Sequence, residues 1–271
     1  MFDPMLSFVG GLKFGLDHIT PLAWGILGLL AVLSTISWSA LLMKWILLNR
    51  TDRANRRFLS GFHDSPHPLA IYLTKEQVEL SPLYYLYHAA CRELAFHLVG
   101  EEEPGRSFSA RLQGAGRISP SQMGSVQNAM ERTVSSTALR LETRLSLVAT
   151  AISVAPLLGI LGTVAGLLEV FSALDAGDKS MLAEGTSSAL ITTIVALLVV
   201  IPSLIGHNAM VSRIRAILVR MDNFASELSG LFDRQFVDHR KVEEYLPSLG
   251  TLGAPAMPRP STVAERSPTR A

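Results

Sequence analysis

The chain has 271 residues, 48% of them hydrophobic and only 17% charged, against about 25% charged in an average soluble domain. A formal net charge of +1 leaves no global basic field for nucleic acid. With one cysteine, Cys91, no intrachain disulfide can form, and with no partner base in view that cysteine reads as a small buried apolar residue and not as a nucleophile.

Residues 1–20 set Phe2, Leu6, Phe8, Val9 and Leu12 among Gly, Asp and Lys. No basic stretch precedes an apolar core, so this is no secretory signal. It reads as a short amphipathic segment, either on the membrane surface or packed on its own bundle.

A membrane-spanning helix needs about 20 mostly apolar residues. Pro21 to Trp45 is the first such stretch and gives a span over residues 21–48; Lys44 sits near one end, where it can snorkel to water. Trp24, Trp38 and Trp45 lie in it, two near its ends, as an interfacial belt would have it. A region of 49–144 follows. Pro66 and Pro68 interrupt the helical continuation of the span. PLYYLYHAACRELAFHLV (Pro82 to Val99) is amphipathic and helical, while EEEPGRSFS and QGAGRISPS are turn-like. From about Gln122 the pattern predicts one long helix running without a break into the second span. His63 and His67 are four apart, but prolines lie beside and between them and no carboxylate cluster accompanies them, so a metal site is not expected. No Walker loop, G-x-S-x-G or H-E-x-x-H occurs, and nothing points to an enzyme or a cofactor.

The second span covers 145–172, with Glu169 at one end. A short loop over 173–186 holds Asp175, Asp178 and Glu184 against Lys179, and the third span covers 187–209. Apolar residues from Val211 to Leu231 then recur at spacings of three and four, predicting a helix over 210–245 that needs a partner surface. Residues 246–271 are rich in Pro, Ser and Gly and are too poor in apolar residues to fold. Lys and Arg crowd the ends facing 49–144 and the C-terminus (Arg50, Arg53, Arg56, Arg57, Arg140, Arg144, Arg213, Arg215), while the opposite side is poor in them. The bias predicts an outside N-terminus, a cytoplasmic C-terminus and a cytoplasmic 49–144.

Inside the spans the polar residues are small. Ser146, Thr150 and Ser153 share one face of span two, and Pro156, Gly159, Thr163 and Gly166 another; Pro156 can kink the helix between the two faces. In span three, Ala189, Thr193, Ala196 and Val200 share one face, and Ser188, Thr192, Ser203 and Gly206 a second. Such residues suit plain helix packing or a polar strip lining a pore. No acidic or basic residue lies near the middle of any span. A proton crossing at this depth needs a titratable carrier, which a partner would have to bring.

Ala155 to Phe171 (APLLGILGTVAGLLEVF), then an acidic loop, then Ser188 to Asn208 (SALITTIVALLVVIPSLIGHN), resembles the ExbB/TolQ/MotA proton-channel family. The three-span layout resembles ExbB and TolQ more than the four-span MotA. The resemblance implies an all-α membrane protein with long cytoplasmic helical extensions, assembled as a homopentameric ring in a bacterial inner membrane. It implies an ExbD/TolR-like single-span partner threading the pore with an intramembrane aspartate, and a TonB/TolA-like transducer to the outer membrane. By the motif, Thr163 and Thr193 face that aspartate, with Thr192 a neighbouring hydroxyl and Ser188 on the same pathway. Pro156, Gly159, Gly162, Gly166 and Pro202 serve helix packing and bending. Family members commonly have a glutamate where Ser188 stands here, so proton entry or exit is relocated to Glu169 or Glu184, or dispensed with. That substitution also motivates a contrasting expectation, a passive oligomeric scaffold that clamps a partner helix without ion flux.

Overall fold

The computed structural model describes Lys13, Asp17 and residues 19–74, 77–100, 108–177 and 179–238. The expected N-terminal amphipathic segment lies almost wholly outside the described residues, as do the EEEPGRS turn and the tail from 239 onward.

Among the described residues seven helices follow in order: α1 (Pro21–His63), α2 (Ala70–Thr74), α3 (Pro82–Val99), α4 (Phe108–Gly114), α5 (Pro120–Glu142), α6 (Leu145–Ala176) and α7 (Lys179–Phe236). Three of them, α1, α6 and α7, are long and apolar enough to cross a membrane. Among the described residues the only non-helical pairing is an isolated bridge between Ile118 and Val237.

Start signals explain where the helices begin. Thr20 caps α1, its hydroxyl accepting from the Ala23 N–H, and Pro21 opens the first turn. Ser81 caps α3 ahead of Pro82, and Ser119 forms a capping box with Gln122 ahead of Pro120 in α5. At 1.5 Å per residue the 43 residues of α1 span about 65 Å and the 58 of α7 about 87 Å. The hydrocarbon core is about 30 Å thick, so both helices continue well beyond it.

Those continuations pack with α3 and α5 into a second bundle. Its centre is aromatic: Phe58 and Phe62 of α1, Tyr84 and Tyr87 of α3 and Phe224 of α7 meet edge to face or tilted, with centroids 5.1–5.9 Å apart. The stripe predicted on α7 is its wall, with Ile214, Ile217, Met221, Phe224 and Leu228 all buried. Two buried polar groups there are held through their oxygens, while the Asn55 Nδ2 is buried without a hydrogen-bond partner. Asn55 Oδ1 accepts from the Ser81 hydroxyl at 2.8 Å, and the Tyr87 hydroxyl donates to the Pro68 carbonyl at 2.7 Å while accepting from the Tyr72 N–H at 3.1 Å. Burial raises the phenol of Tyr87 and the thiol of Cys91; Cys91 is fully buried, as its reading as a small apolar residue requires. Asp52 on α1 pairs with Arg56 and with Arg220 of α7, and the hydrogen bond from Arg56, followed by that from Arg220, holds its carboxyl below the usual range despite some desolvation.

In four places the structure departs from the sequence expectation. The predicted continuous helix from Gln122 is broken: α5 ends at Glu142, Thr143 is extended, and Arg144 takes φ 71° before α6 begins. The carbonyl of Thr143 thereby leaves the helical ladder and accepts from Lys44 Nζ at 3.0 Å. Lys44 therefore does not snorkel; it is 6% exposed and turned inward. The segment expected as a loop over 173–186 is almost entirely helical, and the chain reverses between Ala176 and Lys179, where Gly177 at φ 70° supplies a left-handed cap to α6. Finally, α7 ends at Phe236 and not near Tyr245, because the backbone of Ile118 takes over: it donates to the Phe236 carbonyl at 2.8 Å and accepts from the Asp238 N–H at 3.0 Å.

Candidate functional site

The hairpin of α6 and α7 is held by residues without side-chain bulk. A Cβ on Gly159 would stand 2.7 Å from the Ala196 Cβ, one on Gly162 2.4 Å from the Thr192 hydroxyl, and one on Gly166 2.6 Å from the Gly185 carbonyl. Gly185 answers from the opposite helix, 2.8 Å from the Gly166 carbonyl. The two backbones approach closely because nothing stands between them. Both helices run on through an internal proline, Pro156 in α6 and Pro202 in α7. Each proline removes one backbone donor from its helix. A small apolar cluster of Ile26, Leu30, Ala155, Ala196 and Val200 seats α1 against this hairpin.

At the level of Gly159, Thr163 and Thr193 meet. Their hydroxyls hydrogen-bond to each other. Both also reach the same two carbonyls: Thr163 is 3.0 Å from the Gly159 oxygen and 3.4 Å from that of Ala189, and Thr193 is 3.2 Å and 3.3 Å from them. Two protons are thus shared among four oxygens. Both side chains are half-buried, at the edge of the helix contact and next to an exposed apolar face that includes Ile160, Val164, Leu190 and Leu197. Such a pair can turn a hydroxyl proton toward a carboxylate, or accept one from a carboxylic acid. Either change exchanges one internal hydrogen bond for another, at about 1 kcal/mol.

Thr192 and Ser188, expected on the same polar strip, lie elsewhere. Both are buried inside the chain, at 0% and 1% exposure. The Thr192 hydroxyl donates to its own helix, to Ser188 O at 2.9 Å or Ala189 O at 3.2 Å, beneath the gap left by Gly162. Ser188 Oγ accepts from the Thr20 N–H at 3.0 Å, which ties the start of α1 to α7. The reason is rotation: one residue is about 100° around a helix, so Thr192 and Thr193 cannot share a direction. Ser146, Thr150 and Ser153 are exposed, and Thr150 and Ser153 bond back to carbonyls four residues earlier at 2.9 and 3.0 Å.

Glu169 and Glu184 are both half-buried near the hairpin's turn. Glu184 accepts from Ser180 at 3.4 Å, and one oxygen of Glu169 is buried with no hydrogen-bond partner. His63 and His67 do not converge. His63 pairs with Glu227 at 3.1 Å, and His67 accepts from the Leu69 N–H at 3.1 Å. Among the described residues no group of three metal-ligating side chains comes together. Sequence reasoning passed over Gly185 and the Thr20–Ser188 link. The small residue four before Ala189 was a signal for the first; nothing local signals a bond across 168 positions.

These features define a class: a helical membrane protein with three candidate spans, whose central hairpin carries a hydroxyl pair and no charge at mid-depth. Comparison with known proteins narrows the class. The profile of the MotA/TolQ/ExbB proton channel family matches residues 100–223. The Tol-Pal system protein TolQ of Haemophilus influenzae is 27% identical over 207 residues, 74% of this chain and 85% of that protein. The biopolymer transport protein ExbB of Xanthomonas campestris is 28% identical over 214 residues, 78% of this chain and 81% of its own length. TolQ of Pseudomonas aeruginosa is 31% identical over a shorter stretch of 140 residues, 51% of this chain and 58% of that protein. Over residues 100–223 the chain is similar to the MotA/TolQ/ExbB proton channel family, and over most of its length to TolQ and ExbB proteins.

Proposed function

We propose that this chain is the channel and motor subunit of an inner-membrane complex of the ExbB–ExbD or TolQ–TolR type. It uses the proton-motive force to energise transport or envelope processes at the outer membrane. Copies form a ring, a pentamer as in the family resemblance, with α6 and α7 toward its axis. The N-terminus is periplasmic, and the aromatic bundle and the C-terminus are cytoplasmic. A single-span ExbD/TolR-like partner brings an aspartate to Thr163 and Thr193, and a TonB/TolA-like protein carries the work outward.

The observation that carries this reading is the Thr163–Thr193 pair itself: two half-buried hydroxyls, alternative internal acceptors, and no charge at that depth. Desolvation raises the pKa of a partner aspartate there. The hydroxyls stabilise either protonation state without adding a competing charge. A potential of about 100–200 mV supplies roughly 2–5 kcal/mol per proton, enough to bias packed states a few kcal/mol apart. Thr163→Ala and Thr193→Ala are expected to leave expression and assembly intact and to abolish energy-dependent activity in cells. Normal activity in both variants would remove the pore assignment.

A second reading, a passive scaffold that clamps a partner helix, draws on Ser188, whose hydroxyl is spent on the Thr20 N–H at the position where the family resemblance implies a glutamate. Proton flux into proteoliposomes holding this chain and its partner separates the two. Flux that disappears when the partner's aspartate is replaced rules out the scaffold; no flux with an intact complex rules out the channel.

A further inference from the structure

At the end of the apolar section of α1, where α5 breaks into α6, a groove of about 510 Å³ opens between the two. Four cationic side chains line it: Lys44 and Arg50 from α1, and Arg140 and Arg144 from either side of the break. Lys44 gives one N–H to the Thr143 carbonyl. No carboxylate among the described residues pairs with Arg50, Arg140 or Arg144, although carboxylates answer Arg56 and Arg220 close by. The other wall is apolar and open, with Met43, Ile46 and Leu47 at 54%, 44% and 37% exposure. Two non-glycine residues among those described adopt a left-handed backbone, Leu80 at φ 63° and Arg144 at φ 71°, and both line this groove. A bulky residue held there is strained, and such strain gathers at sites that hold a ligand.

Four positive groups brought together without a counter-charge repel one another, and an anion would relieve that repulsion. A free anion explains the arginines but not the exposed apolar wall beside them. We infer that the groove seats an anionic phospholipid of the cytoplasmic leaflet, its phosphodiester against Arg50, Arg140 and Arg144 and an acyl chain along Met43, Ile46 and Leu47. The inference rests on the orientation given above, which places this end at the anionic cytoplasmic surface. Arginine suits the phosphate because its planar fork donates two parallel hydrogen bonds.

Native mass spectrometry of the full-length protein in neutral detergent tests the site, with phosphatidylglycerol, phosphatidylcholine and inorganic phosphate as probes. The expected result is retention of phosphatidylglycerol over phosphatidylcholine, reduced by about tenfold or more in an Arg50→Gln/Arg140→Gln double variant and restored in part by Arg50→Lys/Arg140→Lys. Both arginines are exposed, so the double variant keeps its fold. Equal retention of the two lipids would overturn the inference, as would an unchanged double variant. Displacement of phosphatidylglycerol by inorganic phosphate would make this a free-phosphate site. Dissociation of the oligomer in the double variant, with lipid retention unaltered, would make the groove an interface between copies. The readout is independent of proton flux: lipid preference without flux would leave this inference standing and sink the motor reading, and flux without preference would do the reverse.

Discussion

Thr163 and Thr193 sit opposite each other because α6 and α7 touch through Gly159, Gly162, Gly166 and Gly185, so the separation of the hydroxyls is set by residues that have no chemistry of their own. Thr163→Ser and Thr193→Ser keep a hydroxyl and should retain much of the activity that the alanine variants lose; a serine variant as inactive as alanine would show that the methyl group, and so packing, is what matters. Gly162→Ala puts a methyl 2.4 Å from the Thr192 hydroxyl, and overpacking of this kind costs about 1–3 kcal/mol. Thermal denaturation in detergent should show the loss, and Thr192→Ala, which removes the hydroxyl and methyl but leaves the residue 192 Cβ 2.6 Å from the new methyl, should restore only part of it. At Gly166 the obstruction is the Gly185 backbone, so the Gly166→Ala variant should have no comparable rescue. The resemblance to the motif singled out Thr163 and Thr193, and the structure brings their hydroxyls together. The inward placement of Thr192 and Ser188 was not, because a helical wheel gives directions around one helix and says nothing of where its neighbours stand.

At the scale of elements, α3 was legible to the residue, since Ser81–Pro82 opens it and Gly100 closes it in a left-handed cap. The α5–α6 break was not. Neither Thr143 nor Arg144 is a helix breaker, and the helix gives way there because Lys44, distant in sequence, claims the Thr143 carbonyl. The reversal at Gly177 was hidden by charge: Asp175, Lys179 and Glu184 look like a loop but tolerate the wet ends of two helices. Between elements, Asp52 clasps α1 to α7 through Arg220. Its carboxyl is held below its ordinary pKa by Arg56 and Arg220, so the folded state binds its proton less readily than the unfolded state does. The clasp's contribution is therefore complete above the unfolded carboxylate value of about 4 and is lost as the pH falls through the lower folded value. Partial exposure of all three side chains keeps it small. Stability measured from pH 7 down to pH 3 should fall more steeply for the natural chain than for Asp52→Asn, and parallel curves would show that the clasp contributes nothing.

For the whole molecule the main question is how an event at Thr193 reaches the aromatic bundle. Thr193 and a wall of the bundle lie on the same element: α7 runs unbroken from the hairpin turn to Phe236, carrying Thr193 at one level and Ile214, Ile217, Met221, Phe224 and Leu228 at another. If it acts as a rigid rod, the rotational register between those levels is a property of its length. Inserting one residue between Asn208 and Ala209 turns everything below it by about 100°, and inserting four turns it by about 40°. The first takes the buried stripe out of the bundle, at a cost comparable to removing a core aromatic, about 3–5 kcal/mol; the second keeps most of it in place. The one-residue insertion should therefore unfold the bundle or uncouple it, and the four-residue insertion should preserve assembly and partial activity. Limited proteolysis and oligomeric state report the bundle, and energy-dependent activity reports the coupling. Equal tolerance of both insertions would mean that α7 yields between its two levels, most simply at Pro202, and that rotation at the hydroxyl pair is not transmitted along it.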